Sequence, residues 1–275
     1  MPVPIAKSEK RFSPSASISF EKRCVRAKSP HCERSTGYPA ALPPPARLPL
    51  ARIDARARGM EHSDMPPLTY ANYLDLEKLL TLQNPRSTPA EHDEMLFIII
   101  HQTYELWFKQ LLHEFEKIKS DFSAGDLFGA IHSFKRTRTI MKTLVAQVDI
   151  LETMTPSSFS SFRDRLETAS GFQSIQFREL EFLLGYKRAS TLAYVKPDFP
   201  GYDRLQQRLG ERTVIDHFYD FLATRGAQIP ADLKNRDLSQ PNGPDERVQK
   251  EILRLYKSSP EVSILFELMT DFDEG

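Results

Sequence analysis

The sequence is short of the residue types on which the commonest site chemistries depend. Its two cysteines, Cys24 and Cys32, both lie in the first fifth of the chain, so the remainder holds no disulfide, thiolate ligand or thiol nucleophile. That usage suits a cytoplasmic protein. The seven histidines include no H-x-x-x-H pair and none set in E-x-x-H, the spacings that put zinc or di-iron ligands on one helix face, so a metal site made by protein alone is not expected. There is no G-x-x-x-x-G-K-[ST] or G-x-G-x-x-G loop to cradle phosphates, and no G-x-S-x-G elbow for a nucleophilic serine. The longest wholly apolar run, Met95 to Ile100, is six residues. A membrane span needs roughly 18. No stretch alternates with period two for long enough to form a sheet, and no segment repeats.

Charge is distributed unevenly. Residues 1–59 carry twelve Lys and Arg against four Asp and Glu, a surplus of eight, and the rest of the neutral chain carries the matching deficit. Nine of the twenty prolines fall in the same stretch. Such a segment buries too little apolar area to offset its ordering entropy, so residues 1–64 are expected to form a disordered basic leader. It is Arg- and Ser-rich like a transit peptide, but its prolines oppose an amphipathic helix, and it lacks the apolar core of a secretory signal. A start placed too far upstream is the third account and the one we prefer, with Met60 or Met65 opening a domain that runs over 65–275. The acidic balance of that domain argues against a nucleic-acid partner.

From Leu68 onward the punctuation is helical. Tyr70–Leu82 reads as one short amphipathic helix, broken at Asn84-Pro85 and Thr88-Pro89. Glu91 then opens a long helix without Pro or Gly, its apolar face formed by Phe97, Ile100, Leu106, Trp107, Leu111, Phe115 and Ile118. Ser123-Ala124-Gly125 is a turn, and Asp126 caps a helix to Leu151 with Phe128, Ile131, Phe134, Ile140, Leu144, Val145, Val148 and Leu151 inward. Shorter helices follow over Phe159–Leu166, Phe172–Leu184 (closed by Gly185), Tyr202–Leu209, Thr213–Leu222, Asp245–Lys257 and Pro260–Met269. The fold class is all-α, a single-domain bundle of roughly seven to nine helices.

Three places hold residues suited to chemistry. His101 sits in the apolar face of the long helix, one turn after Phe97; it is either a functional imidazole or, more commonly for this pattern, a hydrogen-bonded core histidine. Arg163 follows Phe159 and Phe162 and precedes Phe172. Buried among those rings it needs an anion, either a ligand carboxylate or an internal partner such as Asp164 or Glu167. Ser170, ahead of Gly171, can donate to a ligand oxygen or simply cap the next helix. Tyr70 and Tyr73 form an aromatic stripe that ordinarily means core packing or a subunit contact.

Taken together, LTYANYLDLEKLL, EHDEMLFIIIHQTYELWFKQLLHE and LETMTP…FRD…SGFQSIQFRELEFLLG resemble the tryptophan 2,3-dioxygenase family, in order and in spacing, from about Leu68 to the end of the chain. The resemblance implies a cytoplasmic, homotetrameric enzyme of the kynurenine pathway that uses haem b and O2 to cleave the indole C2–C3 bond of L-tryptophan, giving N-formylkynurenine. It makes His101 the distal histidine that bonds the indole N–H. Phe97 becomes the ring packed on the indole, and Arg163 the partner of the substrate carboxylate. Phe159 stands where many members have Tyr, so a hydroxyl contact is lost. Ser170 and Gly171 would line the pocket near the haem edge, while Tyr70, Tyr73 and Leu74 would reach a neighbouring subunit's site. In the family the iron's axial histidine lies in a W-R-x-R-H context beyond the segment matching LFELMTDFDEG, together with a Gly- and Thr-rich loop that closes over substrate. Neither has a counterpart in these 275 residues. We therefore expect no metal ligand from this chain, and no ligated haem or product from it as written. The alternative is a non-catalytic remnant of the family, or a subunit that assembles with complete copies.

Overall fold

The computed structural model describes residues 67–274, and the expected leader lies outside them. The described residues fall into two compact units, one within 27–82 and one from Gln83 on. All their regular structure is helical.

In the first unit the expected single helix over Tyr70–Leu82 is two one-turn helices, α1 (Tyr70–Tyr73) and α2 (Leu76–Leu79). The break is at Asp75, whose φ of 51° is left-handed and cannot continue a helix. Thr69 starts α1 through a capping box with Asn72.

The larger unit is organised around α3 (His92–Ala124), 33 residues long. It begins after an extended Glu91 and stops at Gly125, where φ reaches 71° and the amide bonds back to Asp121 and Phe122 carbonyls. Asp126 then accepts from the Gly129 amide and opens α4 (Leu127–Leu151). Beyond lie α5 (Pro156–Arg163), α6 (Ile175–Leu183), α7 (Tyr202–Gly210), α8 (Val214–Thr224), the one-turn α9 (Ala231–Lys234), α10 (Glu246–Ser258) and α11 (Pro260–Glu274), with 3₁₀ turns at Asp164–Leu166, Gly171–Gln173 and Ala189–Tyr194. The helix expected over Phe172–Leu184 is thus a 3₁₀ turn and a shorter α-helix. The interruption is Ser174, extended at ψ 113°, whose side chain caps α6.

The C-terminal half of α3 is the axis of the core. Leu111, Phe115, Ile118 and Phe122 are sealed from solvent. Phe115 meets Phe134 of α4 and Phe272 of α11 edge-on, and Phe122 meets Phe134 and both Phe218 and Phe221 of α8. Burying each such ring contributes about 2–3 kcal/mol. Several expected core positions are not in the core: Leu106, Phe128, Val145 and Val148 are exposed. Each lies at helical spacing from buried neighbours, but no described element covers that side.

A polar knot ties the loops around α8 together. Asp216, buried, accepts from the Thr213 hydroxyl and amide, from Arg236 and from Asn242. Burial alone would raise its pKa, but the Arg236 and Thr213 bonds and the Arg236 charge outweigh that and hold it below the ordinary value. Beside it Lys187, also buried, donates to the carbonyls of Leu209, Glu211 and Leu238. Desolvation, helped by the Arg236 charge, brings that ammonium down to about 8.

Candidate active site

The N-terminal half of α3 is only partly covered, and there the sequence's candidates gather. His101 Nδ1 lies 2.7 Å from the Phe97 carbonyl oxygen one turn earlier. A carbonyl can only accept, so Nδ1 carries the proton, and the neutral tautomer this selects has its acceptor at Nε2. The imidazole stands 4.1 Å from the Phe97 ring, centroid to centroid. Phe97 in turn meets two rings of α5, Phe159 at 5.8 Å and Phe162 at 5.6 Å, and those two lie 5.5 Å apart and nearly perpendicular. Phe162 is wholly buried, while Phe97, Phe159 and His101 keep part of their surface open. Phe162 is therefore the footing on which the accessible rings rest. Its place three residues after Phe159 was the signal available in sequence.

Local chemistry sets α5 at this spot. Thr155 caps it by accepting the Ser158 amide, and Pro156 occupies the first turn, where no amide is needed. The helix runs only to Arg163 before tightening into the 3₁₀ turn Asp164–Leu166. Arg163 is exposed, not buried among the rings as expected, because Phe162 takes the inward position and the next residue is rotated about 100° away around the helix. Its guanidinium makes a long bond, 3.5 Å, to the carbonyl of Glu167, a residue held at φ 48°. Neither Asp164 nor Glu167 pairs with it, and among the described residues no carboxylate lies within salt-bridge distance of it.

Ser170 precedes the 3₁₀ turn Gly171–Gln173 as its cap. Its Oγ accepts from the Phe172 amide at 3.3 Å, and Gln173 Oε1 accepts from the Ser170 amide at 3.2 Å. The capping reading of Ser170 is the one observed. A Cβ added at Gly171 would meet nothing within 4 Å, so the chain's own packing does not require glycine there. Tyr104, three residues beyond His101, donates to the Leu144 carbonyl at 2.7 Å, and burial raises its pKa. Tyr70, Tyr73 and Leu74, in the other unit, are all exposed.

A family model for tryptophan 2,3-dioxygenase matches residues 54–204, the span that contains every residue of this site. A tryptophan 2,3-dioxygenase of Herpetosiphon aurantiacus is 49% identical over 208 residues, 76% of this chain and 80% of its own. That of Anaeromyxobacter dehalogenans is 45% identical, with 76% and 77% covered, and that of Rhodococcus jostii 39% identical, with 74% and 72% covered. The chain belongs to the tryptophan 2,3-dioxygenase family. The all-helical architecture agrees with that membership, and no helix among the described residues is long and apolar enough to cross a membrane. Within this tryptophan 2,3-dioxygenase fold, His101, Phe97, Phe159 and Phe162 are brought together directly. Arg163 stands next to Phe162 in sequence at the end of the same short helix.

Proposed function

We propose that the surface formed by α3, α5 and the turn at Gly171 is the substrate side of a tryptophan 2,3-dioxygenase site in a cytoplasmic homotetramer, converting L-tryptophan and O2 to N-formylkynurenine. One observation carries the reading: the half-open cluster of Phe97, His101 and Phe159 takes a ring from α5, and that short helix ends at Arg163, an exposed guanidinium without a carboxylate partner among the described residues. An aromatic amino acid offers the complement, a flat apolar ring and a carboxylate.

The residues then have separable tasks. Phe97 packs against the indole, and Phe159 walls it without offering a hydroxyl. His101, its Nδ1–H held by the Phe97 carbonyl, accepts the indole N–H at Nε2. Arg163 binds the carboxylate and so fixes which indole edge faces the oxidant. Ser170 and Gly171 would border the cofactor, and a Cβ at Gly171 would meet none of the chain's own atoms. Tyr70, Tyr73 and Leu74 complete the site of a neighbouring subunit, which accounts for apolar side chains standing in solvent.

The residues fit haem on this one face: aromatic rings would wall the substrate side, and an imidazole would meet the substrate there. Haem b, when bound, supplies the activation of O2. No axial role is assigned to the other described histidines; His217 bonds Ser123, His132 bonds Arg136, and His92 and His113 are exposed.

Arg163→Ala tests the proposal when tryptophan is compared with tryptamine, which lacks the carboxylate. With haem supplied, the variant should bind tryptophan about 30- to 100-fold more weakly and tryptamine unchanged. Equal loss for both, or none for tryptophan, would remove Arg163 from the site.

A further inference from the structure

The turn that carries Ser170 and Gly171 is not held by its own short 3₁₀ bonds alone. Gln176, in the first turn of α6, reaches across to α3 and places its amide nitrogen 2.9 Å from the Glu105 carbonyl oxygen and 2.8 Å from Glu105 Oε2. Both partners can only accept, so the orientation of the Gln176 amide is forced: its NH2 must face Glu105. Glu105 lies one turn after His101. Two residues further along α6, Arg178 is buried and bonds the turn itself. Its Nε and one terminal nitrogen both lie 3.4 Å from the Phe172 carbonyl oxygen, its charge stands over the Phe172 and Phe177 rings, and Glu181 neutralises it. Phe177 closes the arrangement against Phe108 of α3. The turn that precedes these two anchors is largely exposed, and side-chain bonds from α6 help to place it.

We infer that Gln176 is a positioning residue for the tryptophan site: its paired donation to Glu105 sets the Ser170–Gln173 turn in register with His101. The inference rests on the reading of Ser170 and Gly171 as pocket residues. A neutral amide suits the task because one nitrogen donates to backbone and carboxylate at once, locking α6 to a fixed point on α3 with no net charge added beside the pocket.

Two substitutions separate positioning from packing. Gln176→Glu keeps the shape but has no donor and sets a second carboxylate against Glu105; Gln176→Lys restores the donors. Hydrogen exchange in the ligand-free full chain reads the turn through the amides of Gln173 and Ser174, which bond the carbonyls of Ser170 and Gly171 at 2.9 and 3.1 Å. Gln176→Glu should speed exchange there by about tenfold and leave the Leu180–Leu183 amides as they are. With haem supplied to all samples, it should weaken tryptophan binding by about tenfold, and Gln176→Lys should stay within about threefold of the parent in both measurements. Unchanged exchange at Gln173 and Ser174 overturns the proposal outright. Faster exchange with unchanged tryptophan binding also overturns it if Arg163→Ala still weakens that binding, since the turn then stands outside a site that is otherwise correctly located. If Arg163→Ala is silent too, the site itself has been misplaced and the positioning role falls with it.

Discussion

The two halves of α3 share one helix and one periodicity yet do opposite things. From Leu111 to Phe122 every inward residue is sealed, by α4, α8 and α11, and even Glu114 and Asp121 are buried. From Glu94 to Phe108 the ring contacts are to the short α5 and α6, α4 is reached by the Tyr104 bond to Leu144, and only Glu94 and Ile100 are fully buried. The difference lies in what surrounds the helix, not in its own residues, since Phe97, Trp107 and Phe108 are as apolar as Phe115. A close-packed core has no room for a ligand. The half that two short helices leave incompletely covered is where an imidazole and aromatic rings keep accessible surface, and the rigid half anchors them.

Truncating one ring in each half tests that contrast most severely. Phe115→Ala should cost about 3–5 kcal/mol, because the cavity is enclosed on all sides and cannot collapse. Phe97→Ala should cost about 1–2 kcal/mol, since its ring is already partly in solvent, while tryptophan binding is lost. Urea denaturation of both variants checks the ratio. Similar costs would mean that the N-terminal half is as tightly packed as the other.

A smaller effect is expected where α3 turns into α4. A Cβ at Gly129 would stand 2.5 Å from Asp126 Oδ2 and 2.9 Å from both Cγ and Oδ2 of buried Asp121. Asp121 is held by Lys117 and has little freedom to withdraw. Gly129→Ala should therefore destabilise by about 1–3 kcal/mol, despite the gain in helix propensity, measured as a fall in Tm. A neutral or stabilising result would show that the Asp126 cap yields easily.

Weaker again, and confined to the site half, is the loop before α3. Buried Glu94 accepts from the Arg86 amide at 2.6 Å and from the Ser87 amide at 3.0 Å, and also from the Ser87 hydroxyl. Burial alone would raise its pKa, but these donors and the Arg86 charge prevail and hold it below the ordinary 4.5. A carboxylate with a lowered folded-state pKa stabilises fully above the unfolded value and loses that contribution as pH falls through the folded one. Glu94→Gln should thus be less stable than the parent at neutral pH, and the gap should narrow below about 4.5 as the parent's carboxyl takes up its proton. Stability curves that stay parallel down to pH 3 would remove Glu94 from the acid response.

Much of this architecture is legible in the chain, because the signals are local. Glu91, Gly125 and Asp126 mark the ends of α3 and the start of α4 through φ preference and capping, and both hold within a residue. The grouping of Phe97, His101 and Phe159 followed from matching long motifs, not from spacing. What could not be read depends on the surroundings. Asp75 carries no sign that it will adopt a left-handed φ and divide the first helix. A capping serine at 174 looks like any helix-interior serine until the turn before it is known. Three phenylalanines flank Arg163 in sequence, a pattern that predicts burial, yet only Phe162 among them is fully buried. Periodicity indicates which side of a helix is apolar and not how much of that side will find a neighbour.

Leu106 is the sharpest case of that last point. It falls on the apolar stripe of α3 between Trp107 and His101, yet stands 55% exposed. In the isolated chain Leu106→Gln should change stability by less than about 0.5 kcal/mol, against about 2–5 kcal/mol for Leu111→Ala little more than one turn along. Repeating the pair at high and low protein concentration separates exposure from subunit contact. If a second copy covers the site half of α3, the Leu106→Gln penalty will grow with concentration, because association adds to apparent stability by mass action, while the Leu111→Ala penalty stays the same. A Leu106→Gln cost that is large even in dilute solution would mean that this stretch is enclosed within the chain itself, and the division of α3 into a sealed and an open half would fail.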